Sequence, residues 1–256
     1  MFPAYIFAAL TSLVCAVAAY ELQHAIGVKG KDRVGIYVVF SAALIPIGVY
    51  FDVGAPVFMA VALVQMCFMF VESLAVFKKK RPISFAQILT ALFAGAVMPY
   101  MLSSLVSLKN MPEGRLFVLL PVIAAFITDA GAYFTGVFLG KHKAFPDVSP
   151  KKTVEGFIGG LVIGTAAMFI YGIIIVLNTR HRVDFWALIL YGFVGAVVTE
   201  LGDLAFSLIK REYEIKDYGR IFPGHGGMLD RFDSMVFAAP AIWLLVTLIP
   251  AIIIRQ

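Results

Sequence analysis

Cysteine is nearly absent from this chain of 256 residues: Cys15 and Cys67 are the only two, and each lies inside an apolar run. No disulfide framework can be built from them. Histidine is almost as scarce, and His24, His142, His181 and His225 are too scattered to complete a zinc site with those cysteines. The largest deficit is charge. Asp, Glu, Lys and Arg make up only 14% of the residues, against about a quarter in a soluble domain, and no internal repeat is visible. Apolar residues fill the difference at 61%, with a mean hydropathy of +0.92, which excludes a soluble globular chain and makes this a membrane protein.

A spanning helix needs about 20 mostly apolar residues. That length predicts eight spans, roughly 3–20, 34–51, 54–77, 85–108, 116–139, 154–177, 185–209 and 232–254. The expected fold is therefore all-α, a polytopic membrane protein forming one integral membrane domain. The first run is read as a helix and not as a cleaved leader, because no basic segment precedes it and Tyr20-Glu21-Leu22-Gln23 is a poor cleavage site. The second is interrupted by Gly35, Pro46 and Gly48. Counting Lys and Arg by side places 16 in the loops after spans 1, 3, 5 and 7 and 5 on the opposite side. Such an imbalance puts the odd-numbered loops in the cytoplasm and both termini outside. Lys78, Lys79, Lys80 and Arg81 read as an anchor to anionic headgroups, and no continuous basic patch calls for nucleic acid.

Against this apolar background, Thr199 to Ser234 is densely polar, with seven carboxylates, six basic groups and five glycines. On a helix, Asp203, Ser207 and Lys210 fall at i, i+4 and i+7, so one wet face carries a carboxylate, a hydroxyl and an ammonium. Asp230 and Asp233 are three apart where the next apolar run begins, and point the same way from a helix's first turn. The run Ser207-x-Ile209-Lys210-Arg211, four residues, Lys216-Asp217-x-Gly219, then Phe222-Pro223-x-His225-Gly226-Gly227-Met228-x-Asp230-Arg231-Phe232-Asp233 resembles the signature of the phosphatidate cytidylyltransferases, or CDP-diacylglycerol synthases. Nearly thirty residues with over a dozen fixed identities are far more specific than a short motif.

Carboxylates inside the spans cost about 2.5 to 3.5 kcal/mol each by insertion scales, so they face the protein interior or water. Asp129 lies in the fifth span and Glu200 and Asp203 in the cytoplasmic half of the seventh, predicting a polar funnel open to the cytoplasm. The competing reading is that these acids only pair with Lys and Arg to hold helices together. Gly156, Gly160 and Gly164, with Gly136 and Gly140, read as packing seams without chemistry.

The loop from Lys141 to Glu155 carries Ser149-Pro150-Lys151-Lys152-Thr153-x-Glu155-Gly156, which is expected to begin a helix and to cluster ammonium groups at its positive end, an arrangement suited to phosphate. It is similar to a second block of the same family, as is Asp129-Ala130-Gly131-Ala132-Tyr133 with Gly136 and Gly140-Lys141, although the pattern has a hydroxyl residue where Ala130 stands. The run Gly136 to His142 is one residue short of a phosphate loop and lacks its Ser/Thr.

The resemblance implies transfer of a cytidylyl group from CTP to phosphatidate, with Mg²⁺ as cofactor and the reaction concentrated in 129–156 and 200–234. It implies metal binding by Asp203, Asp230 and Asp233, catalytic roles for Lys210, Arg211, Lys216, Asp217 and His225, and substrate contacts from Lys151, Lys152, Ser207, Gly226, Gly227 and Arg231, with Asp129 and Glu200 as further members. The expected partners are CTP, phosphatidate and membrane lipids; a homodimer is admitted, and the expected location is a bacterial inner membrane with the site on the cytoplasmic face. Two alternatives stay open: a CTP-dependent enzyme acting on another lipid phosphate, and a cation-coupled transporter.

Overall fold

In hydrocarbon the backbone must satisfy its own hydrogen bonds, so apolar runs of spanning length are obliged to be helical. A computed structural model describes residues 3–27, 33–77, 83–224 and 226–254, and within them eight helices are long and apolar enough to cross a membrane. They are α1 (Ala4–Ala25), α2 (Arg33–Tyr50), α3 (Gly54–Val76), α4 (Phe85–Asn110), α5 (Gly114–Leu139), α6 (Val154–Asn178), α7 (Phe185–Glu212) and α8 (Leu229–Leu248). The protein is an all-α integral membrane protein, as expected. Two boundaries moved most. α1 runs on to Ala25, and α8 stops at Leu248, shortly before Pro250 disfavours further helix.

α4 and α5 are not regular. Each contains a π-turn, Phe93–Val97 in α4 and Ile123–Ile127 in α5, within two residues of Pro99 and Pro121 respectively. The second places Thr128 and Asp129 directly after the widened turn, a setting in which π-turns are often functional.

The chain divides into two compact units. The first comprises Met1–Ser107 and Tyr213–Phe232; the second comprises Leu108–Glu212 and Asp233–Gln256. In the first unit α2 packs against both α1 and α3, around a core that includes Ala8, Val49 and Val106 with Phe7, Tyr50 and Tyr100 against it. Ser84 and Gln87 form a reciprocal capping box that starts α4. Buried Gln65 donates from Nε2 to the Ala91 carbonyl at 2.6 Å and leaves no room for a Cβ at Gly95, within the π-turn.

The second unit is built on α6, which packs closely on α5 and α7. The glycine seam makes this possible. A Cβ on Gly156 would stand 2.8 Å from the Ala132 carbonyl oxygen and one on Gly160 3.1 Å from that of Thr128, while one on Gly164 would collide with the Thr128 hydroxyl. A core of Leu120, Ala124, Met168, Ile175, Leu188 and Ile242 fills the unit. At one end β3 (Arg182–Val183) pairs antiparallel with β4 (Ile252–Ile253), and buried Tyr191 ties the chain after α8 down, donating to the Ile249 carbonyl and accepting from Ala251 N–H. At the other end β1 (Lys143–Phe145) and β2 (Ser149–Thr153) form a small hairpin between α5 and α6.

Candidate active site

The hairpin corrects one expectation. α6 begins at Val154, where the sixth span was expected to start, because Thr153 is extended and its hydroxyl accepts from Gly156 N–H at 3.1 Å, capping the helix; residues 149–153 before it are a strand. Glu155 closes the other side, accepting from the backbone of Lys141 and His142 at 3.1 and 3.2 Å and pairing with His142 Nδ1 at 2.6 Å. Lys151 and Lys152 therefore do not sit in a helical first turn. Strand alternation separates them: Lys151 is exposed, while Lys152 turns inward.

Lys152 Nζ lies 2.5 Å from Glu200 Oε2 and 2.7 Å from Asp203 Oδ2 on α7. Burial alone would lower the pKa of this ammonium, but the Asp203 and Glu200 charges outweigh it and raise the pKa above the ordinary lysine value. Glu200 is almost wholly buried, and its second oxygen, Oε1, has no hydrogen-bond partner among the described residues. One helical turn on, Ser207 is buried and Lys210 Nζ stands 3.9 Å from Asp233 Oδ2, so the face carrying Asp203, Ser207 and Lys210 is more enclosed than expected. Asp129 accepts from the Ser234 hydroxyl at 3.1 Å, and Asp233 Oδ1 accepts from Ser234 N–H at 2.8 Å. Asp129, Asp203 and Asp233 are near enough to feel one another's charge. Arg211 serves the hairpin instead, its Nε donating to the Val148 carbonyl at 3.0 Å.

This second unit thus gathers four carboxylates, Asp129, Glu200, Asp203 and Asp233, around the ammonium groups of Lys152 and Lys210. Fully ionised, the group has two negative charges in excess. An oxygen-only donor set with that excess, including an orphaned carboxylate oxygen, fits a hard divalent cation such as Mg²⁺. No three His, Cys, Asp or Glu side chains stand at metal-ligand spacing among the described residues. Mg²⁺ does not need them, since it commonly takes one or two carboxylates together with waters and phosphate oxygens.

The first unit holds the rest of the signature. Asp230 Oδ2 accepts from the backbone N–H groups of Tyr218 and Gly227, both at 2.9 Å. Gly224 and Gly226 adopt left-handed φ of 77° and 81°, which glycine does without steric cost, and Phe222 bridges to Gly226. Lys216 and Asp217 are exposed and line a cavity of about 800 Å³ with Tyr20, His24 and Arg220. Arg231 is exposed. His225 and the basic run 78–81 lie outside the described residues. One residue was missed: Glu21, near the end of α1, accepts from Met228 and Leu229 N–H at 3.0 and 2.8 Å. A carboxylate at the end of an apolar run was the available signal.

The pattern that defines the cytidylyltransferase family matches residues 1–249. This chain belongs to the cytidylyltransferase family. Among its relatives is the phosphatidate cytidylyltransferase of Bacillus subtilis (strain 168), 38% identical over 161 residues, covering 62% of this chain and 57% of that protein. The phosphatidate cytidylyltransferase of Staphylococcus aureus (strain COL) is 41% identical over 141 residues, covering 54% of this chain and 51% of the other. That of Staphylococcus saprophyticus subsp. saprophyticus is 39% identical over 137 residues, with 54% and 51% covered. The chain thus spans little more than half the length of the curated relatives it matches. The family expectation drawn from the signature is borne out.

Proposed function

We propose that this cytidylyltransferase acts on a lipid phosphate, phosphatidate, converting it with CTP into CDP-diacylglycerol and pyrophosphate. The observation that carries the reading is the Lys152 ammonium held between Glu200 and Asp203, in the unit that also brings Asp129, Asp233 and Lys210 together. The names of the relatives support the substrate, and the apolar spans support a lipid one.

In this reaction a phosphate oxygen of the lipid forms a bond to the α-phosphorus of CTP, and the bond from that phosphorus to the bridging oxygen of pyrophosphate breaks. A phosphate monoester is already ionised near neutral pH, so positioning and charge screening matter more than a general base. Lys152, held by Glu200 and Asp203, and Lys210, near Asp233, would meet phosphate oxygens. Lys151, exposed beside them on the hairpin, offers a further ammonium to the triphosphate. Arg211 acts one step away by holding the hairpin at Val148. Asp203 and Asp233 would hold Mg²⁺, which when bound screens the phosphate charge and stabilises the leaving pyrophosphate. Asp230 keeps the metal role implied by the signature. The 16-to-5 distribution of Lys and Arg supports a cytoplasmic site, and the bacterial relatives support a bacterial inner membrane.

The deciding experiment follows pyrophosphate release from labelled CTP by purified protein in mixed micelles, with phosphatidate, diacylglycerol or a polyprenyl phosphate supplied. Turnover with phosphatidate and none with diacylglycerol is expected. Equal turnover of the polyprenyl phosphate would move the assignment to another lipid phosphate, and absence of CTP turnover with every lipid would end the enzymatic reading.

A further inference from the structure

Glu21 lies in the last turns of α1, only 3% exposed, and is the one carboxylate of that mostly apolar helix. Its two oxygens are both engaged. Oε1 accepts from Met228 N–H at 3.0 Å and Oε2 from Leu229 N–H at 2.8 Å. These are the amides at the start of α8, which no turn of their own helix can satisfy. Glu21 therefore caps α8 from a distance of about two hundred residues in sequence, within the first unit.

The neighbouring carboxylate completes the arrangement. Asp230 Oδ2 reaches back to Gly227 N–H and across to Tyr218 N–H. Three successive amides, those of residues 227 to 229, are thus divided between Asp230 and Glu21. The glycines explain how two carboxylates fit so closely: a Cβ on Gly219 or on Gly227 would collide with the Glu21 carboxylate. Gly219 and Gly227 are signature positions whose lack of a side chain the motif alone does not explain. Glu21 lies outside that motif.

We propose that Glu21 is a positioning residue for Asp230: by gripping the amides of Met228 and Leu229 it sets the first turn of α8 and so the direction of the Asp230 carboxylate. The proposal rests on the functional reading above for the role of Asp230, and on hydrogen bonds in the structure for the link between the two residues. A glutamine at position 21 keeps the size but presents an NH₂ where one backbone N–H now finds an acceptor, so one of the two bonds becomes a donor facing a donor.

Two readouts test it. Hydrogen exchange of the segment around residues 226–230 reads the geometry without any turnover: Glu21→Gln should speed exchange there by about tenfold or more while the middle of α1 stays protected. Kinetics then read the consequence. Glu21→Gln should lower kcat by about tenfold with KM for CTP changed by less than about threefold, and adding it to Asp230→Asn should lower kcat by less than about twofold further. Gln23→Ala, which disturbs the same buried turn of α1 through its bond to Ala19, should reduce thermal stability and leave turnover per folded molecule unchanged. If Glu21→Gln fails to fold, Glu21→Asp carries the same test, since its shorter arm cannot reach both amides. Unchanged exchange at 226–230 overturns the link, and effects of Glu21 and Asp230 variants that multiply independently overturn the positioning role. Wild-type protein that turns over no CTP refutes the functional reading instead, and the exchange experiment then still decides whether Glu21 sets this turn.

Discussion

Replacing Lys152 by methionine keeps most of the side chain's length and packing and removes its charge. In the native arrangement the ammonium bridges Glu200 and Asp203, and the Glu200 side chain is 1% exposed while that of Asp203 is 28% exposed. Lys152→Met therefore strands a buried carboxylate, and removing one partner of a buried pair costs about 3–5 kcal/mol. Asp203 recovers some hydration, which places the expected loss near the lower end, about 3 kcal/mol. Glu200→Gln removes the buried charge instead and leaves Lys152 bonded to Asp203, so its cost should be nearer 1 kcal/mol. The double variant should then be more stable than Lys152→Met alone, by about 1–2 kcal/mol. Denaturant unfolding in mixed micelles, followed by the fluorescence of Trp186 and Trp243, measures these differences. CTP turnover per folded molecule should fall about a hundredfold in both variants lacking the ammonium, because charge stabilisation at the phosphates is lost. If Lys152→Met unfolds at the wild-type midpoint, or if the double variant is the least stable of the three, Lys152 does not compensate Glu200 and the reasoning fails.

The metal proposal predicts that Asp203→Asn, Asp230→Asn and Asp233→Asn fold nearly normally and lose about a hundredfold or more in Mg²⁺-dependent turnover. Well-folded variants with near-normal turnover at low Mg²⁺ would remove that role, residue by residue. Sidedness predicts that a cysteine placed at Lys143 reacts only with reagents reaching the cytoplasm and one at Arg180 only with reagents outside. Labelling of both from the same side would break the alternation of spans.

Much of this protein is set by local rules. Bilayer thickness dictates the length of an apolar run, so the eight spans could be read directly, including α2 despite Pro46, which the helix absorbs. Helical period likewise placed Asp203, Ser207 and Lys210 on one face of α7, and the spacing of Gly156, Gly160 and Gly164 marked the seam on which α5 packs. Where the reading erred, a side-chain bond competed with a composition rule. The helix starts at Val154 as its span predicted, but Lys151 and Lys152 were expected at its positive end, and the residues before the Thr153 cap pair as a strand instead. The π-turns in α4 and α5 also escaped, since an extra residue in one turn leaves the apolar pattern intact.

What tertiary structure alone decided is which charges meet. Lys152 could have paired with any acid at the same membrane face; packing of α6 between α5 and α7 brings it to Glu200 and Asp203. Glu21 resembled a residue at the edge of a span until its carboxylate appeared on the amides of Met228 and Leu229. The physical reason is one of range. Periodicity and span length are properties of a few neighbouring residues, whereas an ion pair or a remote cap in a low-dielectric interior depends on distances that only the folded chain defines.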